Sequence, residues 1–174
     1  MSKKAKPKPE VHEYQAEIQK LLEILVHSLY TEREIFLREL VSNASDALSK
    51  VQLTTLTEDK VLDKDTELRI TISLDEEQRK IVIEDSGCGM TKEELVENLG
   101  TIANSGTLKY LEQLQTENKS AENLIGQFGV GFYSVFMVAD RVELTTRSWQ
   151  EDAKAWQWSS EGGGQYEIVP IDFK

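Results

Sequence analysis

Residues 34–48 read EIFLRELVSNASDAL. Phe36, Leu37, Leu40, Ala44, Ala47 and Leu48, continued by Val51, recur at helical spacing, which predicts an amphipathic helix with one buried face. Glu39, Asn43 and Asp46 stand at i, i+4 and i+7, on a polar stripe beside that face rather than opposite it. Just upstream, Thr31 and Glu34 have the spacing of a capping box that would start this helix. Before them, Leu21, Leu22, Leu25 and Leu29 share one side of another helix, roughly from Tyr14 to Tyr30.

Downstream the period changes from helical to alternating. Leu68, Ile70, Ile72 and Leu74 alternate with polar residues, the pattern of a half-buried strand. A turn at Asp75–Gln78 leads to Ile81, Val82 and Ile83, read as a buried strand, and the two strands are expected to pair as a hairpin. Thr91 and Glu94 form a second capping box, for a short helix through Leu99. Ser105 to Glu117 is helix-like, then becomes polar through Asn123, and the glycine cluster Gly126, Gly129 and Gly131 follows. Phe132 to Ala139 reads as a buried helix. Val142, Leu144 and Thr146, then Trp156 and Trp158, then Tyr166 to Ile171 after Gly162–Gly164, read as strands. Helices and hairpin-like strands without regular strand–helix alternation imply an α+β fold, a two-layer α/β sandwich, over a doubly wound parallel sheet.

The chain has 174 residues, enough for one domain, and no repeats. Its net charge of -11 repels phosphate backbones at long range, so nucleic acid is not expected as a partner. A single bound nucleotide remains compatible, because local amides or a metal ion can overrule the global field. Cys88 is the only cysteine, so no intrachain disulfide can form, which suits a reducing cytoplasm. No segment approaches the ~18 apolar residues of a membrane helix. Residues 1–10 are Lys- and Pro-rich and are expected to be a disordered basic tail, with the domain at 11–174.

Three polar motifs could carry chemistry. Glu39, Asn43 and Asp46 together could hold a hydrated Mg2+ and activate a water, since that ion prefers oxygen ligands and keeps several waters; the same stripe could also be a solvated helix face. Asp85 ends an apolar strand before Ser86-Gly-Cys-Gly-Met90. Its carboxylate could accept a hydrogen bond from the amino group of adenine and reject the carbonyl of guanine, or it could cap the turn. Gly126-Gln-Phe-Gly-Val-Gly-Phe132 runs into an apolar helix, where clustered amides and the helix N-terminus favour a phosphate, although the segment is neither a Walker loop nor a Rossmann fingerprint. The polar linking stretch from Gly100 would then suit a lid. His12 and His27 have no metal cluster around them, and Cys88 reads as a small filler. Trp156 and Trp158 read as packing residues.

The blocks EIFLRELVSNASDAL (34–48), IEDSGCGM (83–90), LGTIANSGT (99–107) and LIGQFGVGFYSVFMVAD (124–140) resemble, in order and spacing, the signature blocks of heat shock protein 90 N-terminal ATP-binding domains. The likeness covers nearly the whole chain after the tail. Gyrase, mismatch-repair and histidine-kinase ATP-binding domains share parts of it but not the full blocks. The resemblance implies a mostly antiparallel sheet with helices on one face and a mobile lid at 100–126. It implies ATP or ADP with Mg2+ as ligands, with Glu39 as general base and Asn43 as Mg2+ ligand. Asp85 would bind adenine, with Gly89 and Met90 lining the base pocket and Asn98 approaching the nucleotide. Asp46, Ala47 and Lys50 would line the pocket, and Gly126, Gln127, Phe128, Gly129, Val130, Gly131 and Phe132 would wrap the phosphates.

By the same resemblance, the chain would be the ATP-binding and weakly hydrolysing part of a cytoplasmic, stress-related chaperone that acts on client proteins as a homodimer. The domain would continue past Lys174 into further strands, one carrying a Thr near the adenine carboxylate. Asn104 stands where the family usually has Lys or Arg, which removes a cation from the lid. Two other functions share these residues: a nucleotide-gated interaction module without turnover, and a histidine kinase or topoisomerase ATPase domain.

Overall fold

A computed structural model describes residues 7–14, 33–100 and 131–172. The expected helix at 14–30, most of the lid, and Gly126 to Val130 lie outside the described residues, apart from Tyr14 and Gly100. The described elements are β1 (Glu10–Glu13), α1 (Ile35–Thr57), β2 (Ile70–Asp75), β3 (Lys80–Asp85) and α2 (Lys92–Gly100). A 3-10 segment (Gly131–Met137) and strands β4 (Val142–Arg147), β5 (Ala155–Ser160) and β6 (Gln165–Ile171) follow. All strand pairs are antiparallel, in a four-stranded sheet ordered β1-β6-β5-β4 and a separate β2-β3 hairpin. This is the α+β arrangement that the mixed periodicity implies.

Register puts one face of the large sheet inward. Leu144 pairs with Trp158, Trp158 with Ile168, and Ser160 with Tyr166, and cross-strand partners share a face. Trp158 and Ile168 are fully buried there. The helical layer covers this face. Phe132 meets Trp158 edge-on, the Lys92 ammonium lies over the Trp156 ring, and Gly100 packs against the Tyr166 hydroxyl. The two tryptophans therefore serve packing.

Strand β1 is an element that the polarity of Glu10-Val-His-Glu13 concealed. Glu10, read as the last residue of the tail, begins it and pairs with Ile168. Its polar residues find partners: exposed Glu10 pairs with the Lys92 ammonium, and His12 stacks on Tyr166.

Helix α1 starts at Ile35 with Glu34 as its N-cap and no side-chain cap bond, while Thr31, the other half of the expected box, lies outside the described residues. Turn bonds from Phe36 N–H to the Arg33 carbonyl and from Leu37 N–H to the Glu34 carbonyl serve its first amides. Ala44 and Val51 are buried as expected, but Leu37 is exposed, and the helix buries Ile35 and Glu39 in addition. The second capping box is present: Thr91 N–H donates to the Glu94 carboxylate at 2.8 Å, and Glu94 N–H to Thr91 Oγ1 at 3.2 Å.

The hairpin pairs Ile72 with Ile83 and Leu74 with Ile81 across a turn in which Gln78 N–H donates to Asp75 Oδ1 at 2.9 Å. Its burial departs from the reading: Ile72, Leu74, Ile81 and Val82 are exposed. Among the described residues no strand pairing joins β3 to β4, and the apolar side chains Ile81, Val82 and Ile83 of β3 border an open cleft. Phe132–Ala139 is not an α-helix. Ser134 Oγ donates to the Gly131 carbonyl at 2.6 Å, and the segment winds as a tighter 3-10 helix.

Candidate functional site

A cleft of about 2160 Å³ opens between α1, the hairpin, α2 and β4. It exceeds the ~300–1,000 Å³ of a small-molecule site, because it runs on from the polar end of the hairpin along the facing edges of β3 and β4.

Three separate stretches of sequence meet on its wall. Asn43, Asp46, Ala47 and Lys50 come from α1, Asp85 to Met90 from the turn after β3, and Asn98 from α2. Phe132 lines the wall as well. Glu39 stands off that wall, buried, with Arg38 Nη2 at 3.8 Å, and it packs against Gly131. A Cβ on Gly131 would run into the Glu39 carboxylate, so the end of the glycine cluster approaches this carboxylate only because it has no side chain. The five residues Gly126, Gln127, Phe128, Gly129 and Val130 lie outside the described residues.

The turn after β3 makes its own local bonds. Asp85 Oδ1 accepts from Gly87 N–H at 2.8 Å, so the carboxylate does cap its turn. Oδ2 accepts no hydrogen bond among the described residues, which leaves that oxygen for a ligand amino group. Ser86 ties the turn to the start of β2, accepting from Arg69 N–H at 2.9 Å and donating to the Glu67 carbonyl at 2.8 Å. Gly87 packs on Ala47, and Gly89 has φ +57 with its Cα against the Arg147 carbonyl, so neither position accommodates a side chain. Asn98 Nδ2 donates to Met90 Sδ at 3.7 Å, linking α2 to the turn.

Cys88 N–H donates to the Ala47 carbonyl at 3.2 Å, and the Cys88 carbonyl accepts from Trp149 N–H at 2.9 Å. Burial pushes its thiol pKa up against the opposing charge of Lys50, and the buried thiol serves as a filler. Deeper in the core, burial raises the Tyr14 hydroxyl to about 12 and the Tyr133 hydroxyl further. Tyr133 donates to the Leu99 carbonyl at 2.6 Å, holding the end of α2 to the 3-10 segment.

Sequence reasoning missed the contribution of β4. Met90 N–H donates to Thr146 Oγ1 at 2.9 Å. The available signal was a hydroxyl residue continuing the inward alternation of Val142 and Leu144. Among the described residues no group of His, Cys, Asp and Glu could hold a metal by itself. No described helix is long and apolar enough to cross a membrane.

A helix bearing an amide and a carboxylate, packed beside a strand-end Asp and its glycine turn at the wall of a cleft, is the arrangement of a nucleotide-binding ATPase domain. The family model for "Histidine kinase-, DNA gyrase B-, and HSP90-like ATPase" matches residues 30–170, and the chain belongs to that family. Within it the chain is an N-terminal ATPase domain of the heat shock protein 90 type. It is 55% identical over 161 residues to "Chaperone protein HtpG" of Chlorobium chlorochromatii, covering 92% of this chain and 26% of that protein. The protein of the same name from Chlorobaculum tepidum is 54% identical over 164 residues, covering 92% and 26%. That from Oleidesulfovibrio alaskensis is 51% identical over 168 residues, covering 97% and 26%. The chain thus spans about a quarter of the length of the curated relatives it matches.

Proposed function

We propose that the polar end of the cleft binds ATP or ADP together with Mg2+, and that the protein containing this chain is a cytoplasmic chaperone driven by ATP hydrolysis. The observation that carries this reading is the convergence on one wall of Asn43, Asp46 and Lys50 with Asp85, whose Oδ2 is left without a partner among the described residues. Asp85 reads the adenine amino group, and Gly89 and Met90 border the base. Asp46, Ala47, Lys50 and Asn98 line the rest, and residues 126–132 wrap the phosphates beneath a lid at 100–126.

The donor set fits a magnesium ion held mainly by phosphate and water: Asn43 offers one neutral oxygen, and Mg2+ needs few protein ligands beside a nucleotide. When bound, it would neutralise charge on the transferred phosphoryl group. Glu39 acts as general base, orienting the attacking water. Its burial against Gly131 keeps the carboxylate in one place, and positioning of this kind is most of what phosphoryl transfer asks of a protein. These residues form part of the machinery, so the chain binds nucleotide and hydrolyses it very slowly alone. In the whole protein, lid closure and pairing of two copies would couple turnover to the remodelling of client proteins.

Calorimetry of ADP with Mg2+, against GDP as control, tests the reading. We expect ADP binding and no GDP binding. Asp85→Asn should lower ADP affinity at least tenfold with an unchanged circular dichroism spectrum, as a donor replaces an acceptor at the base. Unchanged affinity would remove Asp85 from the site. Glu39→Ala, in the whole protein, should retain ADP affinity and lose hydrolysis. Hydrolysis at the unsubstituted rate would remove Glu39 as the base, and ADP binding without hydrolysis in the unsubstituted whole protein would favour a nucleotide-gated module over an ATPase.

A further inference from the structure

Among the described residues, three hydrogen bonds hold backbone groups of residues 88–90 against other elements, besides the Asn98–Met90 side-chain contact. Two are purely backbone, from Cys88 to Ala47 and from Trp149 to Cys88. The third alone uses a side chain, Met90 N–H to Thr146 Oγ1 at 2.9 Å. Thr146 is 8% exposed and stands inward on β4, on the same face as Leu144 and opposite Trp156. An apolar residue would satisfy packing there, and a buried hydroxyl is disfavoured unless bonded. Its partner is the amide of the residue that borders the candidate base site and immediately precedes the Thr91 cap of α2.

The contact around it is close. Gly89 lies at positive φ with its Cα against the Arg147 carbonyl, so the turn meets β4 backbone to backbone. Loss of the Thr146 hydroxyl would leave the Met90 amide without an acceptor and loosen the turn from β4.

We infer that Thr146 is a positioning residue for nucleotide binding: its hydroxyl latches the Asp85–Met90 turn onto β4 and so sets Met90 and Asp85 for the base. This rests on the reading of the cleft as a nucleotide site. The latch has a readout that needs no nucleotide. Cys88 lies in the turn, is 7% exposed, and is the only cysteine in the chain.

The experiment measures N-ethylmaleimide labelling of Cys88 in the nucleotide-free chain, and ADP affinity by calorimetry, for the unsubstituted chain, Thr146→Val and Thr146→Ser. We expect Thr146→Val to label about tenfold faster and bind ADP about tenfold more weakly, the effect of one lost hydrogen bond to a buried amide. Thr146→Ser, which keeps the hydroxyl, should restore both. If Thr146→Val does not fold, Thr146→Ala takes its place in the comparison with Thr146→Ser. Equal labelling of the hydroxyl-free variant and the unsubstituted chain overturns the latch. Faster labelling with unchanged ADP affinity overturns its role in binding. A labelling contrast in a chain that binds no ADP even unsubstituted supports the latch and overturns the nucleotide reading instead.

Discussion

The four-stranded sheet and the β2-β3 hairpin are written in the same alternating code and end in opposite environments. In the sheet, Trp158 and Ile168 are 0% exposed beneath the helical layer. In the hairpin, Leu74 is 71% exposed and Ile72 and Ile81 are 47% exposed, although they occupy equivalent alternating positions. Alternation defines which side chains share a face. Whether that face is covered depends on what else the chain brings to it. A two-stranded unit is marginal by itself, and this one leans on α1 and on the turn at Gly87–Met90.

The largest expected contrast follows from this difference. Trp158→Ala should cost about 3–5 kcal/mol in denaturant unfolding, the usual loss for a buried aromatic. Leu74→Ala should fall within about 0.5 kcal/mol, as for an exposed position. Comparable losses would mean that the hairpin face is covered in solution. A smaller effect probes the seam between the regions. Gly89→Ala must adopt a left-handed φ against the Arg147 carbonyl, and should destabilise by about 1–3 kcal/mol. A neutral result would show that the turn does not press on β4.

The smallest effect belongs to the outer edge of the large sheet. The hydrogen bond and charge of Lys92 hold the Glu10 carboxyl below its ordinary pKa. A lowered folded-state pKa contributes stability above the ordinary carboxylate range and loses it as pH falls through the lowered value. The melting temperatures of the unsubstituted chain and Glu10→Gln should therefore differ slightly at neutral pH and converge in acid. A gap that persists at acid pH would mean the carboxylate charge is not what matters. Salt should shrink the difference, because Glu10 is solvent-exposed.

Much of the fold was legible because local patterns and tertiary structure agree. The periodicity of α1, the Thr91–Glu94 box, the Asp75 turn and the strands around Trp158 and Tyr166 are each readable within a dozen residues. Strand β1 was not, because the partners of its polar Glu10 and His12 lie 80 and more positions away. The 3-10 segment was missed for a different reason: its apolar content fits any buried element. At the site, the residue types on α1 and after β3 were legible, whereas the bond from Met90 to Thr146 spans 56 positions.

By itself, the sequence determined which residues share a face and which polar groups stand beside an apolar one, since those follow from the fixed periods of helix and strand. It also determined where glycine must turn the backbone, at Gly89 above all. Only the tertiary structure decided which faces are covered and that Asn43, Asp85 and Asn98 line one cleft. It alone assigned a buried hydroxyl on β4 to the turn that ends β3. Those outcomes depend on contacts between segments distant in the chain, which no local period encodes.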